Sequence, residues 1–294
     1  MTTTLSPFVF FGASHVDRLG WASEPILSGR STPGRFQERV GGAALNTASL
    51  LAACGCHITL HSILGEDAAA DMVCEEVARR RVTLLAQSGE QTAQYTAILD
   101  HDGDLVAALA DMAIYDGFSA PEASTSGWSV IDTNLPEQAL ETIAANAEQL
   151  CALGVSVAKI GKLQKLIANI DLLFANEGEA LALAQGAITV EEALQQLSKQ
   201  GLKSAVISAG QNPVWMLENG KITRQPVSQF SAIKDVTGAG DALAALTLFE
   251  LSSGKSLCDA AITGIKASQL ILSIDGPYRA DIGQALGLAA PVVL

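Results

Sequence analysis

Apolar runs alternate with amphipathic stretches along most of the chain, and their periods predict where strands and helices fall. Phe8 to Phe11 reads as a short buried strand ending at Gly12, and His57 to Ile63 as another, with the helical run Ala43 to Ala53 before it. This is a βαβ opening. Between the two strands, Trp21 to Arg39 is rich in Gly, Ser and Pro and has no helical period, which marks an excursion out of the main layer. A second excursion follows, because Ala93 to Asp100 and Asp104 to Leu109 flank the turn Asp100-His101-Asp102-Gly103, a hairpin signal with Gly where a positive φ is needed. The two excursions, residues 13–40 and 90–118, predict a small sheet that cannot stand alone and packs over the main body or against another subunit.

The rest of the chain alternates strand and helix: Ser129 to Asp132, Pro136 to Gln149, Asp171 to Ala175, Glu191 to Lys199 and Ala205 to Ser208. Such alternation predicts an α/β fold with a mostly parallel sheet covered by helices. Val214 to Leu217 and Lys221 to Gln225 surround Asn219-Gly220, a strong hairpin pair, and the apolar helical runs Ala242 to Leu251 and Leu257 to Ile274 close the chain. There is no internal repeat, and residues 1–294 read as one domain with its two excursions.

Composition narrows the class. Of 294 residues, 49% are hydrophobic and 17% charged, which excludes disorder. A formal net charge of −13 argues against nucleic-acid and anionic-membrane partners, while a small nucleotide can still be held by backbone N–H groups at a helix start and by Mg²⁺. The five cysteines are scattered and odd in number, which suits reduced core thiols rather than a disulfide framework. Met1 to Ser14 lacks the basic leader of a signal peptide and no apolar stretch reaches spanning length, so the expected location is cytoplasmic.

The most informative stretch is Asp235-Val236-Thr237-Gly238-Ala239-Gly240-Asp241, which runs directly into an apolar helical run. Gly238 and Gly240 let backbone N–H groups converge on an anion, and the positive end of the helix favours the charge of a transferring phosphoryl group. Asp241 then falls in the first helical turn, where it could accept a proton from a hydroxyl beside that anion. A lone Gly-x-Gly with a helix-capping Asp would explain the same residues without chemistry. Neither G-x-x-x-x-G-K-[S/T] nor G-x-G-x-x-G after the first strand is present, and zinc patterns are absent.

Thr237 to Asp241 resembles the carboxy-terminal signature of the ribokinase-like (PfkB-type) sugar kinases. Gly41-Gly42-Ala43-Ala44-Leu45-Asn46-Thr47-Ala48 followed by Gly65-Glu66-Asp67 resembles the amino-terminal signature, and Asn176-Glu177-Gly178-Glu179 the N-x-x-E motif; the likeness covers nearly the whole chain. It implies a ribokinase-like three-layer α/β domain with a β lid and transfer from ATP to a small-molecule hydroxyl, and the small sheet, unable to stand alone, is the expected seam of a homodimer. It further implies Asp241 as catalytic base, and Gly238, Ala239 and Gly240 as the anion hole. Asp17, Gly41, Gly42 and Asn46 match substrate positions, and Asn176, Ser208, Gly210 and Thr237 nucleotide positions. Glu179 matches a Mg²⁺ position acting through water, and Asp235 a monovalent-cation (K⁺) position. Read singly, Asp17 is also a loop acid, Gly41 and Gly42 a tight turn, Asn46 a helical residue facing water, and Asn176 and Glu179 a cap with a surface acid.

Within the family, Asp104 to Met112, Val155 to Lys159 and Ala93 to Asp100 look closest to pseudouridine kinases, which brings in Met112 against a base and Thr96 as a hydroxyl contact. A buried Met and a strand Thr are the plainer readings. Three departures bear on specificity: His15 stands where related kinases usually carry Asn, Pro213 stands where Gly is usual, and Gln149 to Gly154 is short. The rivals are another kinase of this fold, acting on ribose, adenosine or a keto-deoxy sugar acid, and a nucleoside-binding module with decayed activity.

Overall fold

β1 (Phe8–Phe11) offers four apolar side chains in a row, so it can lie only inside a sheet covered on both faces. In the computed structural model, which describes residues 7–230 and 232–288, it pairs in parallel with a strand on each side. Phe8 and Phe10 enter one hydrophobic cluster and Phe11 the other. Residues 1–6 of the stretch read for a leader lie outside the described residues.

The chain leaves the main layer after β1 through β2 (His15–Ala22) and β3 (Gly34–Gly41), and returns by α1 (Ala43–Ala53), β4 (Ile58–Leu64), α2 (Ala68–Arg79) and β5 (Thr83–Ser88). It leaves again through β6 (Gln94–Leu99) and β7 (Leu105–Asp111). Then come β8 (Thr125–Asp132), α3 (Glu137–Asn146), β9 (Ala147–Leu153), a 3₁₀ segment (Ile160–Asn169), β10 (Leu172–Asn176), α4 (Glu177–Ala184) and α5 (Val190–Lys199). The hairpin strands β11 (Ser204–Ala209), β12 (Asn212–Glu218) and β13 (Lys221–Gln225) follow, before α6 (Ala239–Ser252), α7 (Leu257–Leu272) and α8 (Ile282–Ala285).

Among the described residues these strands form a nine-stranded sheet, β13-β12-β11-β10-β9-β8-β1-β4-β5, and a four-stranded sheet, β3-β2-β6-β7. From β11 to β5 the large sheet is parallel throughout. All its crossovers therefore bring the strands' carboxyl ends to one edge. The helices α1, α6 and α7 cover one face through an apolar cluster, while α3, α4, α5 and the 3₁₀ segment cover the other. The two excursions join by the parallel pairing of β2 with β6.

Several expectations are corrected. The helix read as Pro136 to Gln149 ends at Asn146, and Ala147 to Leu153 becomes β9, the central strand between β8 and β10. A short apolar run such as Leu150-Cys151-Ala152-Leu153 has no period that tells strand from helix, and burial between two strands decides it. The pattern likewise does not bring out α2 or β5, whereas α4 begins at the cap that Asn176 offers. Cys54, Cys56 and Cys151 are buried free thiols as expected, but Cys74 and Cys258 are exposed on helix surfaces. Pro213 falls at the bulge between β11 and β12, where the ladder is already broken and a missing N–H does no harm.

Gly42 caps α1 at φ +117, and a Cβ there would collide with the Ala13 carbonyl. Gly42→Ala is therefore expected to destabilise the protein by more than about 1 kcal/mol, read as a lower denaturation midpoint with an unchanged slope.

Candidate active site

The helix α6 is almost entirely apolar and buries most of its length, so its amino terminus is held rigidly against the carboxyl edge of the sheet. Gly238 begins it at φ +80, a left-handed conformation, and Pro277 occupies the space a Cβ would need. No side chain caps this end. Its first N–H groups are thus left open with the helix dipole behind them, an arrangement suited to an anion.

Asp241, in the first turn of α6, accepts a hydrogen bond on Oδ2 from the Asn46 amide at 2.9 Å. Asn46 sits in α1, a helix buried along nearly its whole length, and is itself buried rather than facing water. Its carbonyl oxygen meets the buried Arg80 guanidinium at 3.5 Å, which sets the amide's orientation. Burial pushes the Asp241 carboxyl up to about 7, with Asp132 and Asp17 adding to the rise against the lowering by the Asn46 bond and His15. A carboxylate so placed can hold or release a proton near neutrality.

Beside it opens a cleft of about 1070 Å³ between the two sheets. Its small-sheet wall carries Asp17, Arg39, Tyr95 and Met112, and its floor carries Asn134, Lys159 and Thr237. His15 Nε2 lies 3.1 Å from Asp17 Oδ1, and Gly41 pairs with His15 in the strand register. Thr96 is corrected: strand alternation turns Tyr95 and Ala97 into the cleft and Thr96 to the opposite face. Asp235 does not stand free. Its Oδ2 accepts from Arg39 Nη1 at 2.7 Å and Gly276 N–H at 3.1 Å, and its Oδ1 from Thr237 N–H at 2.8 Å.

A smaller cavity of about 270 Å³ adjoins at Val155 and is lined by Asn176, Glu179, Ser208, Gly240 and Asp241. Asn176 caps α4 by accepting from Glu179 N–H at 3.0 Å, and Glu179 Oε2 returns a bond from Asn176 N–H at 2.9 Å. This capping box leaves Glu179 Oε1 and the Asn176 amide nitrogen for other partners. Gly154, just past β9, lies so close to Glu179 that a Cβ would collide with its carboxylate. Burial raises the Glu179 carboxyl above its ordinary value. Gly210 lies in the β11–β12 turn, outside both cavities.

Sequence reasoning brought Asp241, Asn46, Asp17, Asn176 and Glu179 to this edge but missed Arg39, Tyr95, Asn134 and Lys159 as lining residues. Lys159 donates to Asn134 Oδ1 at 2.6 Å, a partnership between loops twenty-five residues apart. Only the position of Lys159 at the end of the Val155 to Lys159 run pointed toward it.

The raised Asp241 has a stability consequence. The fold favours its protonated form, so ionisation opposes folding, from no penalty below about pH 4 to its full size above about pH 7. Asp241→Asn keeps an acceptor for Asn46 and removes a penalty of up to about 4 kcal/mol. Thermal denaturation is expected to find the variant more stable than wild type at about pH 8, with the gap closing toward about pH 4.

Comparison with known proteins agrees with this geometry. The description "pfkB family carbohydrate kinase" matches residues 10–281. The chain is 27% identical over 253 residues to the pseudouridine kinase of Escherichia coli, covering 81% of each. It superposes on a carbohydrate kinase from Agrobacterium tumefaciens with a TM-score of 0.84 at 30% identity, covering 98% of this chain and 99% of that one. It shares its fold with the ribokinase of Arabidopsis thaliana complexed with ribose and ATP, at a TM-score of 0.80, 19% identity, and coverage of 97% and 100%. With its signature turn, its sheet edge and its matched span in agreement, the chain belongs to the pfkB family of carbohydrate kinases, enzymes that transfer a phosphoryl group to a hydroxyl.

Proposed function

We propose that this protein uses ATP to phosphorylate a primary hydroxyl of a nucleoside, with pseudouridine, taken to its 5′-phosphate, as the preferred acceptor. The observation that carries this is the Asp241 carboxylate, held by Asn46 at the mouth of an uncapped helix start, in a small cavity that adjoins a cleft with room for a nucleoside. The cleft wall supports a nucleoside rather than a bare sugar. Tyr95, Ala97, Leu99 and Met112 form an apolar side against which a flat ring can lie, while Asp17 and His15 form a polar end for ribose hydroxyls. The 27% identity to the Escherichia coli pseudouridine kinase and the 21% identity to that of Arabidopsis thaliana support the same choice.

In this mechanism Asp241 takes the acceptor's proton as the hydroxyl oxygen attacks the γ-phosphorus of ATP in line, the bond to the bridging oxygen breaks, and ADP leaves. The Gly238, Ala239 and Gly240 backbone then stabilises the charge gathering on the transferred group. Asn46 holds the carboxylate in register with the nest, and Asp17 and Gly41 orient the acceptor. Ser208 and Asn176 line the donor cavity, Thr237 lines the neighbouring cleft, and Gly210 shapes the turn between β11 and β12. The hard oxygen donors facing the smaller cavity fit Mg²⁺: Glu179 through its free oxygen and a water, with Asn176 beside it. When bound, Mg²⁺ neutralises phosphate charge.

The four-stranded sheet acts as a lid over the cleft, excluding water. Its outer face carries Phe36 and Leu109, more than half exposed, which support a homodimer through the lid. A charge of −13 supports a small-molecule partner over nucleic acid or membrane, and no described helix is long and apolar enough to cross a bilayer.

The test is coupled ADP release over pseudouridine, uridine, adenosine, ribose and a keto-deoxy sugar acid. Pseudouridine is expected to give the highest kcat/KM; turnover with another acceptor alone would refute the substrate, and calorimetric binding without ADP release on any would refute the kinase reading. Asp241→Asn is expected to lower kcat by about 10² to 10⁴ with ATP binding retained. Because the base must be ionised, kcat/KM should fall on the acid side with a midpoint near 7, a limb that moves or vanishes in the variant.

A further inference from the structure

Arg39 is the final charged residue of β3, and its guanidinium reaches out of the small sheet into the loop that precedes the anion nest. There it makes two bonds at once, Nη1 to Asp235 Oδ2 at 2.7 Å and Nη2 to Thr237 Oγ1 at 2.8 Å. Its Nε is buried without a hydrogen-bond partner and lies 3.6 Å from Asp17 Oδ2. One positive charge thus stands between two carboxylates, one facing the acceptor end of the cleft and one bracing the turn that leads to Gly238.

The resemblance that matches Asp235 to a monovalent-cation position is not met by these atoms. A carboxylate oxygen has two strong acceptor directions, and Asp235 Oδ2 spends both on Arg39 and on Gly276 N–H, while Oδ1 takes Thr237 N–H and keeps one direction on a carboxylate whose charge Arg39 already neutralises. A K⁺ ion bound to Oδ2 would have to displace a charge-assisted bond or sit against a guanidinium already in contact with its ligand. Arg39 and Asp235 are 18% and 21% exposed at the side chain, so solvent does little to screen that repulsion.

We propose that Arg39 is the resident cation of the Asp235 site: its guanidinium supplies the positive charge beside the anion nest, ties the small sheet to the phosphate loop, and frees phosphoryl transfer from any need for K⁺. Arg39 is a positioning residue, acting through Asp17 and through the Asp235-Thr237 turn. The inference rests on the kinase reading for its activity arm, but not for its binding arms.

Wild type is compared in K⁺ and in tetramethylammonium at equal ionic strength. The expected results are a kcat/KM equal within about twofold, a melting temperature indifferent to the cation, and no Tl⁺ anomalous peak at Asp235 in soaked crystals. Arg39→Met opens the site. The variant is expected to lose activity by about tenfold or more without K⁺, to regain part of it with K⁺ but not tetramethylammonium, and to gain K⁺-selective thermal stabilisation. A merely structural role would not produce that selective rescue.

Activation of wild type by K⁺ of about tenfold or more, or Tl⁺ density at Asp235, would overturn the proposal while leaving the kinase reading intact. If the variant fails to fold, the wild-type arms decide alone. If no acceptor releases ADP in any salt, the kinase reading fails, and the melting and Tl⁺ measurements still decide the site.

Discussion

The bond from the Asn46 amide to the Asp241 carboxylate joins two helices that come from opposite ends of the chain, and the site depends on it. Both helices are buried along most of their length, so neither can swing to accommodate the other. Packing of α1 against α6 over one face of the sheet therefore sets where the carboxylate stands relative to the Gly238 turn. A carboxyl taken out of water would otherwise be driven to its neutral form; the amide bond, with help from His15, limits the rise to about 7. The same burial that destabilises the ionised group brings its proton affinity toward neutrality, so stability and chemical readiness pull in opposite directions.

Around this pair, positive and negative groups are arranged with little surplus. Asp17, Asp132 and Asp241 crowd one region, and their mutual repulsion is relieved by different devices. Asp132 accepts backbone N–H bonds from Ala13 and Asn134 at 2.8 Å each, which hold the loops after β1 and β8 together. Asp17 lies between His15 and Arg39. Asp235 is turned away into Arg39 and the backbone, and its carboxyl is held below its ordinary range by Thr237 and Arg39 in spite of burial. In an acidic protein, Arg39 and Lys159 are thus placed where charge is most needed rather than spread over the surface.

Strand and helix periodicity was sufficient to read α1, the lid hairpin and the Asn219-Gly220 hairpin, because each is a local pattern: a helical run, or a glycine turn between alternating strands. The signature turn was equally readable, since a left-handed Gly before an apolar helix is a local requirement. By contrast, the first residues of β9 read as helix in the sequence, because its identity as a strand comes from the two neighbours that bury it. Thr96 enters as a cleft contact through the likeness of its segment to a lid strand, and such a likeness does not fix the face the strand turns inward. That face is set by how the sheet docks, a contact absent from any short window of residues.

The amino-acid order alone determined the layered α/β class, the glycine turn and the presence of a carboxylate one turn into the helix that follows it. Tertiary structure alone decided that Asn46 meets that carboxylate, that Asp132 lies close enough to raise it, and that Arg39 reaches Asp235 across 196 positions of chain. Local conformation follows from sterics and periodicity within a few residues. Ion pairs, desolvation and proton affinity depend on which distant segments share a buried space, and that is settled only when both faces of the sheet are covered.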